Sequence, residues 1–266
     1  MQNSDILLYQ GPNKKGILRL KLNDPKNKNA LSESMMLHLI DAINQASADN
    51  KVRVIIIAST GNVFSSGHNL KELKANFDSK DKEEYLLKLF TICSSLMKSI
   101  VNCPKPVIAE VNGIATAAGC QLVASCDLAI ASDASKFATP GVNIGLFCST
   151  PMVALSRNVS HKHSMKMLLT GDMIDASEAR RIALINEYVS SDNLTKTVTD
   201  LAEKIASKSS AVIRIGKEAF YKQTLLNLDE AYEYTSKVMT YNMSKDDAIE
   251  GINSFLEKRK PTWKDQ

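Results

Sequence analysis

A stretch of small residues at positions 111–144 constrains this chain more than any other part of its sequence. It reads VNGIATAAGCQLVASCDLAIASDASKFATPGVNI, a pattern that predicts a strand, a tight turn, a helix start and a second strand. Ala117, Ala118 and Gly119 have almost no side-chain bulk, so a ligand can approach their backbone N–H groups closely. A helix that begins here points its unpaired N–H groups and the positive end of its dipole at that ligand. This arrangement is typical of a site that stabilises an oxyanion.

Composition places the chain among soluble globular proteins. Of its 266 residues, 44% are hydrophobic and 23% are charged, which suits one large domain or a domain with a small appendage. The net charge of +4 is compatible with a phosphate-bearing ligand. It is too small and too dispersed for a dedicated nucleic-acid binder, so nucleic acid is not expected as a partner.

The cysteines and the apolar runs bear on location. The five cysteines form an odd set without CxxC spacing, which favours buried thiols in a reducing compartment and predicts no metal site. No apolar run reaches the ~20 residues that span a bilayer. The N-terminal segment lacks the apolar core of a signal peptide, so we expect a cytoplasmic protein. A mature form in the mitochondrial matrix would have the same sequence features.

The first half of the chain alternates strands and helices. Predicted strands cover 6–9 and 16–22, joined as a hairpin, together with 52–57, 107–110 and 128–131. An amphipathic helix opens at Ser32 and Glu33, with Met36, Leu39 and Ile43 at helical spacing. The second half is almost entirely helical, with predicted helices at 179–184, 194–207, 212–226, 229–241 and 248–260. The pattern indicates an α/β core that leads into a helical C-terminal region.

A second turn rich in small residues follows the strand at 52–57. Its sequence, FSSGHNLKEL, predicts a tight turn around Gly67 and a helix that begins near Leu70. An exposed N–H of His68 could converge with that of Ala118 across a cleft. Two such amides would form an oxyanion hole, and a single donor of this kind is worth roughly 2.7–4 kcal/mol of transition-state stabilisation. Two ordinary tight turns are the alternative interpretation.

Several motifs in order resemble those of the enoyl-CoA hydratase/isomerase (crotonase) family. They are SSGHNLKEL, PKPVIAEVNGIATAAGCQLVASCD and KFATPGVNIGLF, and the resemblance runs from DPKNKNALS to FLEKRKPTWKD. It implies a crotonase-like α/β spiral of repeated ββα units in residues 1–190, which holds the acyl-CoA site. Residues 191–266 would form a C-terminal helical region that builds a homotrimer or hexamer. The implied ligand is an acyl-CoA thioester, with no further cofactor.

The resemblance also implies roles for individual residues. The thioester oxygen would lie between the backbone N–H groups of His68 and Ala118. Positions that match those around the substrate or its CoA group are Lys26, Ala30, Ser66, Gly67, Asn69, Leu70, Gly119, Thr139, Phe255 and Lys258. Of these, Lys26 and Ala30 match a loop that borders the CoA nucleotide. Phe255 and Lys258 match C-terminal positions that reach a neighbouring CoA site.

The chain departs from the family at two catalytic positions. Family hydratases carry two glutamates that activate water and handle the proton on the α-carbon, and here these positions are Gln121 and Gly141. An amide does not titrate in the useful range and glycine has no side chain. Each lost acid–base group typically contributes 10²–10⁴-fold in rate, so ordinary hydration is not expected.

Other residues could supply chemistry in their place. The His68 imidazole is one candidate base, and Cys148 is a candidate nucleophile that could equally be a small apolar wall. Glu72, one helical turn beyond His68, fits a solvated helix face. Three functions stay open: a hydratase or isomerase, an enzyme of another crotonase reaction (thioester hydrolysis, isomerisation or decarboxylation), and a non-catalytic acyl-CoA binder.

Overall fold

A computed structural model describes residues 5–265 of the chain. The strands are β1 (Leu7–Gln10), β2 (Ile17–Leu22), β3 (Val54–Ser59), β4 (Val63–Ser65), β5 (Val107–Val111), β6 (Ile114–Thr116), β7 (Leu128–Ser132), β8 (Lys136–Ala138), β9 (Ile174–Asp175) and β10 (Glu187–Val189). The helices are α1 (Glu33–Ala48), α2 (Leu70–Ala75), α3 (Lys82–Asn102), α4 (Ala118–Ser125), α5 (Pro151–Asn158), α6 (His161–Thr170), α7 (Ala176–Arg181), α8 (Ser191–Ala206), α9 (Ser210–Gln223), α10 (Leu228–Met243) and α11 (Asp246–Leu256).

Two sheets organise the core. The larger has six strands in the order β1-β2-β3-β5-β7-β10, and the smaller has four in the order β4-β6-β8-β9. Along the chain, β3, β5 and β7 each add a parallel strand to the larger sheet and are followed by β4, β6 and β8 in the smaller one. These successive pairs, with helices between them, confirm the predicted spiral of ββα units.

The apolar run of β3 is buried on both faces because successive side chains point to opposite sides of the sheet. Ile55 and Ile57 enter the main core, which includes α1, α3 and α4. Val54 and Ile56 face the other side and pack against α8 through residues such as Val198. The predicted hairpin, the strands near 54, 107 and 128, and the helix that Ser32 caps are confirmed.

The C-terminal helices are tied to the sheets by polar contacts. The side chain of Lys217 on α9 is 8% exposed, and its Nζ lies 2.6 Å from Asp127 Oδ2. The Tyr221 hydroxyl donates to the other Asp127 oxygen at 2.8 Å. Arg53, just before β3, forms an ion pair at 2.6 Å with Asp265 of the segment that follows α11.

The predicted helices of the C-terminal region are confirmed, with ends that differ by a few residues. The division of the chain into 1–190 and 191–266 stays a prediction.

Within residues 5–265 we find no helix with the length and apolar character of a membrane span.

Candidate active site

Three neighbouring parallel strands of the smaller sheet end at the same edge. Ser65 of β4 pairs with Ala115 of β6, and Thr116 pairs with Ala138 of β8. The segments that follow these strands therefore lie side by side, as ligand-binding loops do at the carboxyl edge of parallel sheets. They carry most of the predicted site residues: Ser66, Gly67, His68, Asn69, Ala118, Gly119, Thr139 and Gly141.

The first turn reverses the chain after β4. Gly67 has φ +86°, a left-handed conformation that glycine adopts without steric cost. Its carbonyl accepts a hydrogen bond from Leu31 N at 2.7 Å, and the Ser66 carbonyl accepts one from Thr116 Oγ1 at 3.2 Å. Asn69 then caps α2 by accepting from Lys71 N at 3.1 Å, and Leu70 at the start of α2 is exposed. The turn is thus fixed on both sides.

The second turn leads from β6 into α4 through a strained residue. Ala117 has φ 50° and ψ −120°, a conformation that usually requires glycine and costs an alanine of order 1–3 kcal/mol. Its N–H donates to the Ala138 carbonyl at 2.9 Å, which holds the turn against β8. Gly119 packs so closely on the first turn that an added Cβ would lie 2.2 Å from the Ser65 carbonyl oxygen.

The two turns bring the predicted amide donors to neighbouring positions. A Cβ built on Gly67 would lie 3.1 Å from the backbone nitrogen of Ala118. Ala118 is the first residue of α4, where a helical N–H has no partner within the helix. Within residues 5–265, neither the His68 nor the Ala118 N–H donates to another protein group. Both amides are therefore free to bind a ligand oxygen.

The His68 side chain packs behind the first turn rather than against solvent. Its Nδ1 lies 3.3 Å from the Leu31 carbonyl, which makes Nδ1 the protonated nitrogen. Its ring meets that of Phe90 edge to face, with 5.4 Å between centroids. Burial lowers the His68 pKa below its usual value, against the smaller opposing effect of the Leu31 carbonyl. The buried Nε2 has no hydrogen-bond partner within the described chain, so the imidazole is a neutral group with a free lone pair.

Gln121, at one of the two glutamate positions, lies in the first turns of α4 and is only 4% exposed. Its Oε1 accepts from the Cys93 thiol on α3 at 3.7 Å. Burial raises the pKa of Cys93 to about 12, so this thiol stays protonated and acts as the donor. The Gln121 Nε2 group has no acceptor among the described residues.

Gly141, at the other glutamate position, is buried and has no left-handed φ. Leu146 N donates to its carbonyl at 2.9 Å, which closes a loop over it. A Cβ at position 141 would lie 2.7 Å from the Leu146 oxygen and 2.9 Å from Cys148 Sγ. Burial raises the Cys148 pKa, and the Gly141 amide opposes that shift. Nearby Thr139 is 1% exposed, and its hydroxyl has no partner in residues 5–265.

The residues predicted to border the CoA group lie in two separate places. Lys26 and Ala30 belong to a loop fixed against the first turn, where the Lys28 carbonyl accepts from Ser66 N at 3.1 Å. Phe255 and Lys258 lie at the exposed end of α11. No hydrogen bond or ion pair of the described residues joins these two to the turns at His68 and Ala118.

Glu72 belongs to α2, which follows the first turn. It accepts hydrogen bonds from Asn69 Nδ2 at 3.0 Å and from Glu33 N at 3.4 Å, so its carboxylate binds polar groups at the starts of both α2 and α1.

No group of three or more metal-ligating side chains occurs within residues 5–265. A groove of about 870 Å³ lies between the β1–β2 turn and α8, and its lining includes none of the predicted site residues.

Comparison with known proteins identifies the class to which this fold and site belong. Residues 12–266 match the Enoyl-CoA hydratase/isomerase family, and the chain belongs to that family. The resemblance seen in its motifs is thereby confirmed.

Particular relatives include "Enoyl-CoA hydratase domain-containing protein 3, mitochondrial" of Xenopus laevis. It is 50% identical over 93% of this chain and 83% of its own length. The human protein of the same name is 49% identical over 93% of this chain and 80% of its own length. The motifs GHNLKEL, AAGCQL and FATPGVNIGLFCSTP predict this branch, and that prediction is confirmed.

Solved structures share the whole fold. The crystal structure of the human domain-containing protein 3 has a TM-score of 0.92 and 47% identity, and it covers 97% of this chain and 100% of its own. An enoyl-CoA hydratase from Mycobacterium smegmatis has a TM-score of 0.93 and 42% identity, with 98% of this chain and 99% of its own covered.

Sequence reasoning missed two residues beside the site, Phe90 and Cys93. Both lie on α3, where they contact His68 and Gln121 respectively. For Cys93, the sequence signal was the helical spacing of Leu89, Cys93, Leu96 and Ile100, all of which are buried.

Proposed function

We propose that this chain binds an acyl-CoA thioester and polarises its carbonyl between the N–H groups of His68 and Ala118. The observation that carries this proposal is the pair of unpartnered amides at two adjoining turns. Fixed donors in a site of low polarity stabilise developing negative charge without reorganisation. The strained Ala117 supports the proposal because such strain tends to persist where it orients functional groups.

The absence of a carboxylate at positions 121 and 141 limits the reactions that this site can catalyse. Neither Gln121 nor Gly141 can exchange a proton, so hydration by a pair of carboxylates has no basis in this chain. The alternatives that use an oxyanion hole are thioester hydrolysis, double-bond isomerisation and decarboxylation. The neutral His68 imidazole, with its free Nε2, is the base that could serve them.

A non-catalytic acyl-CoA binder is the second candidate function. It is favoured by the way Cys148 Sγ and the Leu146 carbonyl fill the space beside position 141. A site that needed a water molecule and a base there would leave that space open. The oxyanion hole would then serve recognition alone. We place the leading function, like this alternative, in fatty-acid or related acyl metabolism.

The CoA group and the assembly are proposed together. Lys26 and Lys258 would contact CoA phosphates, with Ala30 and Phe255 beside them, and one pair would come from a neighbouring subunit. Because no hydrogen bond or ion pair within residues 5–265 joins Phe255 and Lys258 to the turns at His68 and Ala118, an assembly would be needed to unite them. A homotrimer or hexamer is supported by exposed apolar side chains on the C-terminal helices: Phe220, Tyr232, Met239, Ile249, Ile252 and Phe255.

One experiment separates enzyme from binder. A panel of saturated, 2-enoyl, 3-enoyl and malonyl-type CoA thioesters is incubated with the protein, and products are identified by mass spectrometry. Binding is measured in parallel by isothermal titration calorimetry. Turnover of any thioester names the reaction, binding without turnover supports the non-catalytic function, and no binding rejects the proposal.

Location is a separate proposal. The animal relatives carry the word mitochondrial in their names, which applies to those proteins. For this chain we keep the cytoplasm and the mitochondrial matrix as alternatives. Fractionation of cells that express the tagged chain distinguishes the two.

A further inference from the structure

The groove between the β1–β2 turn and α8 has a charged lining. Five cations and two carboxylates surround its volume of about 870 Å³: Lys14, Lys15, Lys51, Arg53, Lys204, Asp200 and Glu203. Sites for small molecules typically enclose about 300–1,000 Å³ and have mostly apolar walls. This groove has the size of such a site, but its lining indicates a ligand that carries charge.

The groove lies away from the two turns of the candidate active site. Its residues Gly16 and Arg53 immediately precede β2 and β3, whose first residues, Ile17 and Val54, pair with each other. The loop that carries Lys26 follows the other end of β2, and the six residues of this strand place about 16 Å between its ends. The groove is therefore separate from the phosphate contact proposed for CoA at Lys26.

The wall formed by the β1–β2 turn is fixed by backbone contacts. Asn13 Oδ1 accepts a hydrogen bond from Lys15 N at 2.9 Å, which closes the turn. Gly16 has φ +79°, and its carbonyl accepts from Arg53 N at 2.7 Å. A Cβ on Gly16 would lie 2.9 Å from the Lys51 carbonyl oxygen, so the turn and the segment before β3 are in direct contact. The lysines of these two segments therefore extend from one continuous surface.

Both carboxylates of the lining already have a cation. Glu203 Oε2 lies 2.5 Å from Lys15 Nζ, a contact that joins α8 to the turn. Asp200 Oδ2 lies 2.6 Å from the Nζ atom of Lys196, one turn earlier on α8. Neither carboxylate is thus available to neutralise the other cations of the groove.

Three lysines of the lining keep an uncompensated charge. Arg53 is paired with Asp265 at 2.6 Å, but Lys14, Lys51 and Lys204 form no side-chain hydrogen bond or ion pair within residues 5–265. Like charges around one cleft produce a positive potential that raises the local concentration of anions. A ligand with several adjacent negative charges suits this arrangement better than a single anion does.

We propose that the groove binds the linked phosphate groups of a small polyphosphate, either free or carried by a nucleoside. The ammonium groups of Lys14, Lys51 and Lys204 contact its phosphate oxygens, as lysines commonly do in phosphate sites. A nucleic acid would need a longer basic stripe than one groove provides. This inference is independent of the proposed function, because the lining includes none of the predicted site residues.

Inorganic tripolyphosphate, ATP and inorganic phosphate are the probes. Their affinities for the full chain are measured by isothermal titration calorimetry at low and high ionic strength. Tripolyphosphate and ATP should bind about tenfold more tightly than phosphate, since each further exposed charge pair is worth up to about fivefold. High salt should weaken both. Equal affinities identify the phosphates alone as the ligand, and tighter binding of ATP adds a contact with its nucleoside.

A loss of affinity should follow removal of the free cations. The triple variant Lys14→Gln, Lys51→Gln, Lys204→Gln should bind tripolyphosphate about tenfold more weakly or worse than the natural chain. The control variant removes three exposed lysines outside the groove: Lys80→Gln, Lys98→Gln and Lys162→Gln. Circular dichroism confirms that both variants fold. An equal loss in the two variants would assign binding to net charge and overturn the inference.

A gain of affinity gives a second test. Glu203→Gln releases Lys15 and removes a negative charge from the lining, so tripolyphosphate should bind about threefold more tightly. Glu233→Gln releases Lys237 from an exposed pair outside the groove and changes the net charge equally, so it should leave the affinity unchanged. Equal gains in the two variants would contradict a site in the groove.

Two further results would overturn the inference and leave the proposed function intact. One is the absence of tripolyphosphate binding by the natural chain at low ionic strength. The other is loss of that binding in the variant Lys26→Ala, Lys258→Ala, which would place the phosphates in the proposed CoA site. Failure of every CoA thioester to bind, with tripolyphosphate still bound, would reject the proposed function alone.

Discussion

The Cys148 thiol lies where a side chain at position 141 would leave the backbone. A Cβ on Gly141 would come within 2.9 Å of Sγ and within 2.7 Å of the Leu146 oxygen. The loop that follows Gly141 is held in this position by the hydrogen bond from Leu146 N to the Gly141 carbonyl. The local packing around position 141 therefore has no room for a glutamate side chain.

Restoring the two carboxylates requires relief of that packing. The natural chain should hydrate crotonyl-CoA orders of magnitude more slowly than a family enzyme with both glutamates. Gly141→Glu alone should lower the free energy of unfolding by about 1–3 kcal/mol, because of crowding rather than an unfavourable φ. The triple variant Gln121→Glu, Gly141→Glu, Cys148→Ala should fold better than Gly141→Glu and hydrate crotonyl-CoA faster than the natural chain.

Denaturant unfolding and the loss of enoyl-thioester absorbance give these two readouts. Gln121→Glu alone is the control and should change hydration little, since the two groups act as a unit. Rapid hydration by the natural chain would show that the acid–base groups lie elsewhere.

Local patterns made much of the fold predictable. The β-branched run that becomes β3 and the small-residue turn before α4 are signals carried by adjacent residues. Strands β4, β6 and β8 have only three residues each, too few to show a period, and they exist because neighbouring strands pair with them. Helix α3 has a clear apolar face that the prediction overlooked.

The candidate site also has one part that local sequence predicts and one part that depends on tertiary contacts. Its backbone donors follow from turn chemistry, which is local, and could be predicted from glycines and alanines. The contact between Cys93 and Gln121 joins residues 28 apart in sequence, and the crowding at Gly141 depends on a loop closing back on itself. Such contacts depend on tertiary packing, which cannot be predicted from the spacing of residues in the sequence.

Gly119 should be irreplaceable, because its Cα lies against the first turn. Gly119→Ala would place Cβ 2.2 Å from the Ser65 carbonyl oxygen, so we expect a loss of about 1–3 kcal/mol or more in unfolding free energy. Gly216→Ala on α9 is the matched control, because no atom lies within 4 Å of its added Cβ. Alanine favours helix over glycine by up to about 1 kcal/mol, so this control should gain stability. Equal effects of the two changes in urea unfolding would contradict the close contact of the turns.

The ion pair between Lys217 and Asp127 should hold α9 on the core. Lys217→Met leaves the Asp127 carboxylate, 16% exposed, without its cation, and should cost about 3–5 kcal/mol in unfolding free energy. Lys196→Met removes an exposed partner of Asp200 and should change stability little. Urea unfolding of both variants makes the comparison, and a small effect of Lys217→Met would mean that other contacts dock α9.

The two lysines proposed to contact CoA should bind its phosphates through exposed, salt-sensitive ion pairs. Lys26→Ala and Lys258→Ala together should weaken CoA binding several-fold at low salt and much less at high salt, because salt screens exposed charges. Calorimetric titration with CoA at both salt concentrations measures the effect, with the double variant Lys196→Ala, Lys237→Ala at two exposed lysines as the control for net charge. Unchanged affinity at low salt would remove both residues from the proposed site.

The buried His68 imidazole should make the fold sensitive to acid. Its folded-state pKa lies below the unfolded value of about 6.5, because burial disfavours the charged ring. Below about pH 6.5 the unfolded chain therefore binds a proton that the folded chain does not, and stability falls as pH decreases from there toward the lower folded-state pKa. His68→Asn removes this group, so its unfolding free energy should fall less between pH 8 and pH 5 than that of the natural chain. His161→Asn, at an exposed residue that begins α6, should leave the pH dependence unchanged. Equal slopes for the natural chain and His68→Asn in urea unfolding would show that burial does not hold the ring neutral.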